Sequence, residues 1–185
     1  EYIDDIVRKE IDGQADNVIV EMDAAGVDIS VIFAVDYGLL LGEAPIHIFD
    51  QNKMYADIAR RHKGRMIPFV AIDPRRKGGL KHCEQAYHEW GVKGFKLHAG
   101  VGYMPDDPVC NWVYEKASEW RIPIMCHTGG APSAPLRWEC SRPAYFASAA
   151  ARYPDADFIL AHTGDIGWWQ EAMQAAAWLP NVYLD

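Results

Sequence analysis

Two short segments carry the side chains best suited to chemistry. Ile124-Met-Cys-His127-Thr-Gly and Phe158-Ile-Leu-Ala-His162-Thr-Gly each run an apolar stretch of strand length into a His-Thr-Gly turn. The repetition puts two imidazoles at one structural level. Parallel α/β proteins keep their reactive groups at the carboxyl ends of strands, and a following glycine lets other groups approach closely. Neutral imidazole suits Zn, Fe or Mn, and a catalytic ion needs about three protein ligands with one position open for water. Such an ion lowers the pKa of its bound water from ~16 towards ~7, which provides hydroxide at neutral pH. Two histidines alone do not hold it firmly.

The elements that position these residues alternate regularly. Residues 17–25 read as the end of an amphipathic helix stopped by Gly26, followed by a β-branched strand over 28–35. The same order recurs: helix 46–61 and strand 66–72, helix 79–90 and strand 91–97, helix 108–120 and strand 122–127, helix 142–153 and strand 157–162, and helix 166–178 before strand 182–185. Six near-continuous apolar strands, each separated from the next by one helix, predict a parallel sheet with right-handed crossovers. The glycine- and proline-rich segments 99–108 and 129–135 follow strands, where the active-site loops of a barrel lie.

Composition narrows the function. The chain has 185 residues, half of them hydrophobic, enough for one substantial core, and a single domain over 1–185 is expected. A net charge of -8 with scattered Lys and Arg argues against nucleic acid and against an anionic membrane surface. Cys83, Cys110, Cys126 and Cys140 form no C-x-x-C pair, which reads as reduced thiols and makes the cytosol the expected compartment. No apolar run approaches the ~20 residues that span a bilayer, and the acidic residues 1–5 lack the basic region of a signal peptide.

A doubly wound nucleotide-binding fold would show a glycine-rich loop after its first strand, and the sequence has neither G-x-G-x-x-G nor a P-loop. A (β/α)8 barrel fits better, because Asp36, Asp73, His98, His127, His162 and Asp185 end six different strands. Six strands do not close an eight-stranded barrel, so the alternatives are an incomplete barrel and an open sheet. Period-two alternation puts Gly94, Lys96 and His98 on one strand face, Pro123, Met125 and His127 on the next, and Phe158, Leu160 and His162 on the third.

Gly94-Phe-Lys-Leu-His98, the two His-Thr-Gly strand ends and the closing Asn181-Val-Tyr-Leu-Asp185 together resemble the amidohydrolase-related family of metal-dependent TIM barrels. That family includes aminocarboxymuconate-semialdehyde and gamma-resorcylate decarboxylases. The similarity runs from about Val20 to Asp185, and the six strands then correspond to the family's second to seventh. It implies a (β/α)8 barrel truncated at both ends.

The resemblance also implies roles. His127 matches a metal ligand, and His162 matches the histidine that manages a proton on the bound water or the substrate. The family's remaining ligands are a first-strand H-x-H, which this sequence does not contain, and an aspartate ending the eighth strand. The expected cofactor is a divalent metal, zinc first, with manganese or iron as alternatives. His98, Lys96 and Arg137 are candidate substrate contacts. His98 is equally readable as a brace for the loop through Gly100 and Gly102; Lys96 reads as a pocket lysine or a structural salt bridge in preference to a carbamylated bridge to a second metal; and Arg137 reads more simply as a solvated surface arginine. The implied function is hydrolysis or non-oxidative decarboxylation of a small carboxylated or cyclic substrate. Unpaired edge strands further predict a homo-oligomer. A non-catalytic barrel fragment serving folding or oligomerisation is the alternative.

Overall fold

A computed structural model describes residues 13–130 and 134–185. The acidic opening at 1–5 and part of the segment 129–135 therefore lie outside the described residues.

Six parallel strands form as the hydrophobic pattern predicts, with one interruption. β1 (Ser30–Ile32) pairs with β2 (Met66–Pro68), Ser30 opposite Met66. After a single residue the same chain continues as β3 (Val70–Ala71), which turns to the other side and pairs with β4 (Phe95–Leu97). β5 (Ile124–His127), β6 (Phe158–Ala161) and β7 (Val182–Leu184) follow in sequence order. Phe69 is the pivot: its N–H donates to Ile32 O at 2.9 Å, whereas that of Val70 donates to Gly94 O at 2.9 Å.

The helices that cross between strands end where local chemistry stops them. In α1 (Asp16–Ala25) the chain leaves through Gly26 at φ 70, a conformation glycine adopts without a Cβ penalty. The short α2 (Gly38–Leu41) follows β1. Before α3 (Ile48–Arg61), the His47 ring nitrogen accepts the Phe49 N–H and so caps one orphan donor of the first turn. α4 (Gly79–Gln85) runs into a π-helical turn, Ala86–Trp90; α5 (Asn111–Trp120), α6 (Pro143–Arg152) and α7 (Asp165–Trp178) complete the layer. Among the described residues no helix is long and apolar enough to cross a membrane.

Register fixes which side chains meet. Phe95, Ile124, Phe158 and Val182 stand opposite one another across four strands and pack against the helices, with Phe95, Ile124 and Phe158 fully buried. Burying each such side chain contributes about 1.5–3 kcal/mol. The other sheet face carries a smaller cluster of Phe69, Met125 and Ala161, backed by Phe33, Ile67 and Ile159. Gly94 is part of this packing: a Cβ there would lie 2.5 Å from the Phe69 ring.

Asn52, projecting from α3, serves as a one-residue substitute strand for the pivoted segment. Its amide donates to Ala71 O and accepts the Ala71 N–H, both at 2.9 Å, and is buried. These bonds satisfy a backbone that β1 has already left. The carbonyl of Pro68, a residue with no N–H, accepts from Lys93 N at 2.8 Å.

Candidate active site

The carboxyl ends of the strands open on a cavity of about 260 Å³ lined by Phe33, Val35 and Tyr37 after β1, by Lys96 and His98, by Met125 and His127, and by Ala161, His162 and Asp185. On β4 and β5 the alternation works as expected. Lys96 is registered with Met125, and His98 and His127 stand one inner-face level above them.

On β6 the expectation fails in detail. Phe158 and Leu160 point to the helices, and Ile159 and Ala161 occupy the inner face. Regular alternation would then turn His162 away from the mouth. Its backbone instead adopts φ 64, followed by Thr163 at φ 48, and this left-handed step swings the imidazole back over the cavity. For residues with a Cβ such a conformation costs roughly 1–2 kcal/mol.

The two threonines of the repeated motif do the same work on successive strands. Thr128, fully buried, donates from Oγ1 to Ala161 O at 2.6 Å and accepts the Gly164 N–H at 2.9 Å. Thr163 donates to Asp185 O at 2.8 Å. Each hydroxyl ties its strand end to the next strand. Between them, Gly129 at φ 102 allows a close approach, since a Cβ there would fall 2.5 Å from that of Asp165.

Three imidazoles converge. The rings of His98 and His127 stack with centroids 3.9 Å apart and planes 11° apart, and His162 stands edge-on to His127 at 4.9 Å. Tyr37 closes the row, 5.2 Å from His98. Burial, together with the neighbouring cation and rings, pushes the His127 pKa down to about 3 and that of His98 to about 4, so both are neutral at physiological pH. His127 Nε2 and His98 Nδ1 are buried without a hydrogen-bond partner. Gly100 presses on the His98 ring: a Cβ would lie 2.9 Å from its Cε1, so the ring braces that loop while its other edge faces the cavity.

Lys96 is buried on the cavity wall with its ammonium 4.9 Å from the Phe33 ring centroid, and desolvation pulls its pKa down to about 8. Arg137 stands apart from this group. Its side chain is 56% exposed and paired with Glu139 at 2.7 Å, while its backbone N–H donates to Gly100 O. The nearby acid two residues along satisfies it at the surface. Asp73 and Asp36, at the ends of their strands, are held by Arg75 and Arg76, each contact at 2.6 Å, and Asp165 caps the Ile166 N–H. Phe33, Val35 and Tyr37 were not singled out by sequence; the period-two face of the first strand, continued through Phe33 and Val35, was the available signal.

Strands that run in parallel and deliver their ionisable residues to one carboxyl-end mouth define a partial (β/α)8 barrel. The chain belongs to the amidohydrolase family, whose model matches residues 12–185. An uncharacterised TIM-barrel protein from Bordetella bronchiseptica superposes with a TM-score of 0.75 at 23% identity, covering 90% of this chain and 57% of that one. A 5-carboxyvanillate decarboxylase from Novosphingobium aromaticivorans, with bound manganese and a hydroxymethoxynitrobenzoic acid, gives a TM-score of 0.63 at 17% identity over 82% of this chain and 50% of its own. A 2,6-dihydroxybenzoate decarboxylase with bound 2,6-dihydroxybenzoate gives 0.59 at 17% identity, covering 80% and 56%. The chain thus spans little more than half the length of these proteins. A comparison with curated proteins gives no significant match.

Proposed function

We propose that the chain carries part of the active site of a metal-dependent enzyme that hydrolyses or non-oxidatively decarboxylates a small carboxylated or cyclic organic molecule. The supporting observation is the His127 Nε2 atom, buried and unpartnered at the mouth of the cavity. A neutral imidazole nitrogen in that state costs about 1–3 kcal/mol unless a partner meets it, and a divalent cation is such a partner. His127 fits the ion as a donor. Among the described residues no group of three His, Cys, Asp or Glu side chains is placed to complete its coordination, so its other ligands are left unassigned.

Zinc is the first expectation, with manganese or iron as alternatives; when bound, the ion supplies Lewis acidity to a carbonyl or carboxylate oxygen. The chain's own residues do the rest. His162, edge-on to His127 and open to solvent, exchanges the proton. In hydrolysis it takes the proton of the attacking water and passes it to the leaving group. In decarboxylation the C–C bond to the carboxylate breaks, the electron pair stays on the substrate carbon, and His162 delivers a proton there. Lys96 and His98 hold the substrate, and the apolar wall of Phe33 and Met125 keeps water out. All four cysteines are free, which supports a reducing, cytosolic setting.

Metal analysis of the purified chain tests this reading. About one Zn or Mn per chain, lost in His127→Ala, supports it; unchanged stoichiometry in that variant removes His127 as a ligand. The lack of a three-donor group among the described residues favours one other reading, a non-catalytic barrel fragment that serves folding or assembly. A folded, metal-free chain supports it.

A further inference from the structure

The pivot at Phe69 shapes the amino-terminal end of the sheet, opposite the histidines. Met66–Pro68 pair with β1, and only from Val70, opposite Phe95, does the same run register with β4. Ahead of that point the chains leading into β2 and β4 diverge, joined by the bond from Lys93 N to Pro68 O at 2.8 Å. A groove of about 470 Å³ lies in the wedge. Met66 and Pro68 form one wall, Gly91 and Lys93 the other, and Ala56 and Ala59 of α3 close it. The π-helical turn sets Trp90 at its flank, where Gly91 at φ 77 redirects the chain. None of the described residues lining this groove lines the histidine cavity.

The walls are apolar and the lip is cationic. Arg60, Lys63 and Lys93 line the groove, and among the described residues no Asp or Glu does. Neighbouring cations are matched by a carboxylate: Lys53 and Arg60 by Asp57, Arg61 by Asp16, and Arg65 by Asp23, at 2.6–2.9 Å. Lys63 and Lys93 are exposed, and among the described residues no carboxylate stands within ion-pairing distance of either. In a chain of net charge -8, two unmatched ammoniums beside an apolar wedge reverse the general field. Apolar surface rimmed by charge marks a binding site, and the volume falls in the range that ligand sites occupy, roughly 300–1,000 Å³.

We propose that the groove binds a free alkyl carboxylate of about octanoate length, its tail against Met66, Pro68 and Trp90 and its carboxylate between Lys63 and Lys93. The tail follows from the lining, because aliphatic walls and an indole ring favour a saturated chain whose methylenes leave water. The carboxylate follows from the lip, where two ammoniums meet it as point charges in a wet setting and salt screens them. This inference goes beyond the proposed reaction and uses neither its histidines nor an ion.

Calorimetric titration of the full chain in low-salt buffer, with octanoate, octanol and butyrate, tests the groove. Octanoate is expected to bind at least fivefold more tightly than octanol, which has the tail without the charge. It should bind at least tenfold more tightly than butyrate, which has the charge without most of the tail. Added salt should close the gap to octanol. Lys63→Glu combined with Lys93→Glu should abolish the preference for octanoate over octanol. Lys77→Glu with Lys81→Glu, an equal change of net charge at exposed lysines elsewhere, should keep it. If the first pair does not fold, Lys63→Gln with Lys93→Gln removes the charges alone and is read the same way. No saturable octanoate binding, parity with octanol, or a preference that survives in the folded lip variant overturns the proposal, as does equal loss in both pairs. Sedimentation with anionic phosphatidylglycerol vesicles in place of octanoate binding also overturns it, because it assigns the lip to a membrane surface.

Discussion

The hydroxyls of Thr128 and Thr163 give the repeated His-Thr-Gly ending a mechanical meaning beside its chemical one. Thr128 holds two buried backbone groups, Ala161 O and Gly164 N, on one oxygen. Thr128→Val keeps the shape, orphans the Gly164 N–H and leaves Ala161 O only the longer bond from the Thr128 backbone N–H at 3.3 Å, which should destabilise the chain by about 1–3 kcal/mol in urea unfolding. Thr163→Val, at a more open position with a single bond to Asp185 O, should cost less; equal losses would show that burial is not what sets the cost. His162 predicts the reverse. At φ 64 it carries a Cβ where glycine is at ease, so His162→Gly should stabilise the fold by up to about 1 kcal/mol. A lower unfolding midpoint in that variant would count against backbone strain. The inner positions of Lys96, His98 and His127 were legible because their strands alternate regularly up to the last residue. The faces of β6 were not, because alternation presumes extended backbone and the left-handed step at His162 breaks it.

At the scale of elements, apolar runs announced every long helix and all six strands, since burial on both faces leaves a contiguous hydrophobic signature, while glycine stops mark only the ends at Gly26 and Gly91. The pivot at Phe69 left no such signature. The run from Met66 to Ile72 reads as one strand, and only its partners differ: Ser30–Ile32 before the pivot and Phe95–Leu97 after it. Nor does a lone asparagine in the middle of a helix advertise that it pairs with a strand. Asn52 satisfies both backbone groups of Ala71, so Asn52→Leu should cost about 2–4 kcal/mol, read from denaturant midpoints, with the far-UV spectrum of the helices retained. A change below 0.5 kcal/mol or so would mean that β3 finds another partner, within the ordinary spread of surface substitutions.

For the whole molecule, mild acid should weaken the fold. Desolvation lowers the pKa of His82 and His98 to about 4 and of His127 to about 3, against the usual 6.5. The unfolded chain therefore takes up protons below pH 6.5 that the folded chain refuses until about pH 4, and stability is lost as pH falls through that window. Each imidazole removes up to about 1.4 kcal/mol per pH unit, and chemical denaturation of chelator-treated protein at stepped pH measures the sum. A flat profile between pH 6.5 and 4.5 would contradict the burial of these rings. Within the described residues β1 and β7 each pair on one side only, and Ile29 and Tyr183 are about half exposed, at 54% and 50%. Made alone, the 185-residue chain should self-associate with rising concentration in sedimentation velocity; a monodisperse monomer at high concentration would oppose that. The threonine rungs bear on something else again. They lie beneath the segments that leave the strands, so the rim is separable from the frame: loops grafted from other barrels onto these strand ends should change which compounds are accepted while the row of rings keeps its spacing, making this mouth a socket for laboratory evolution.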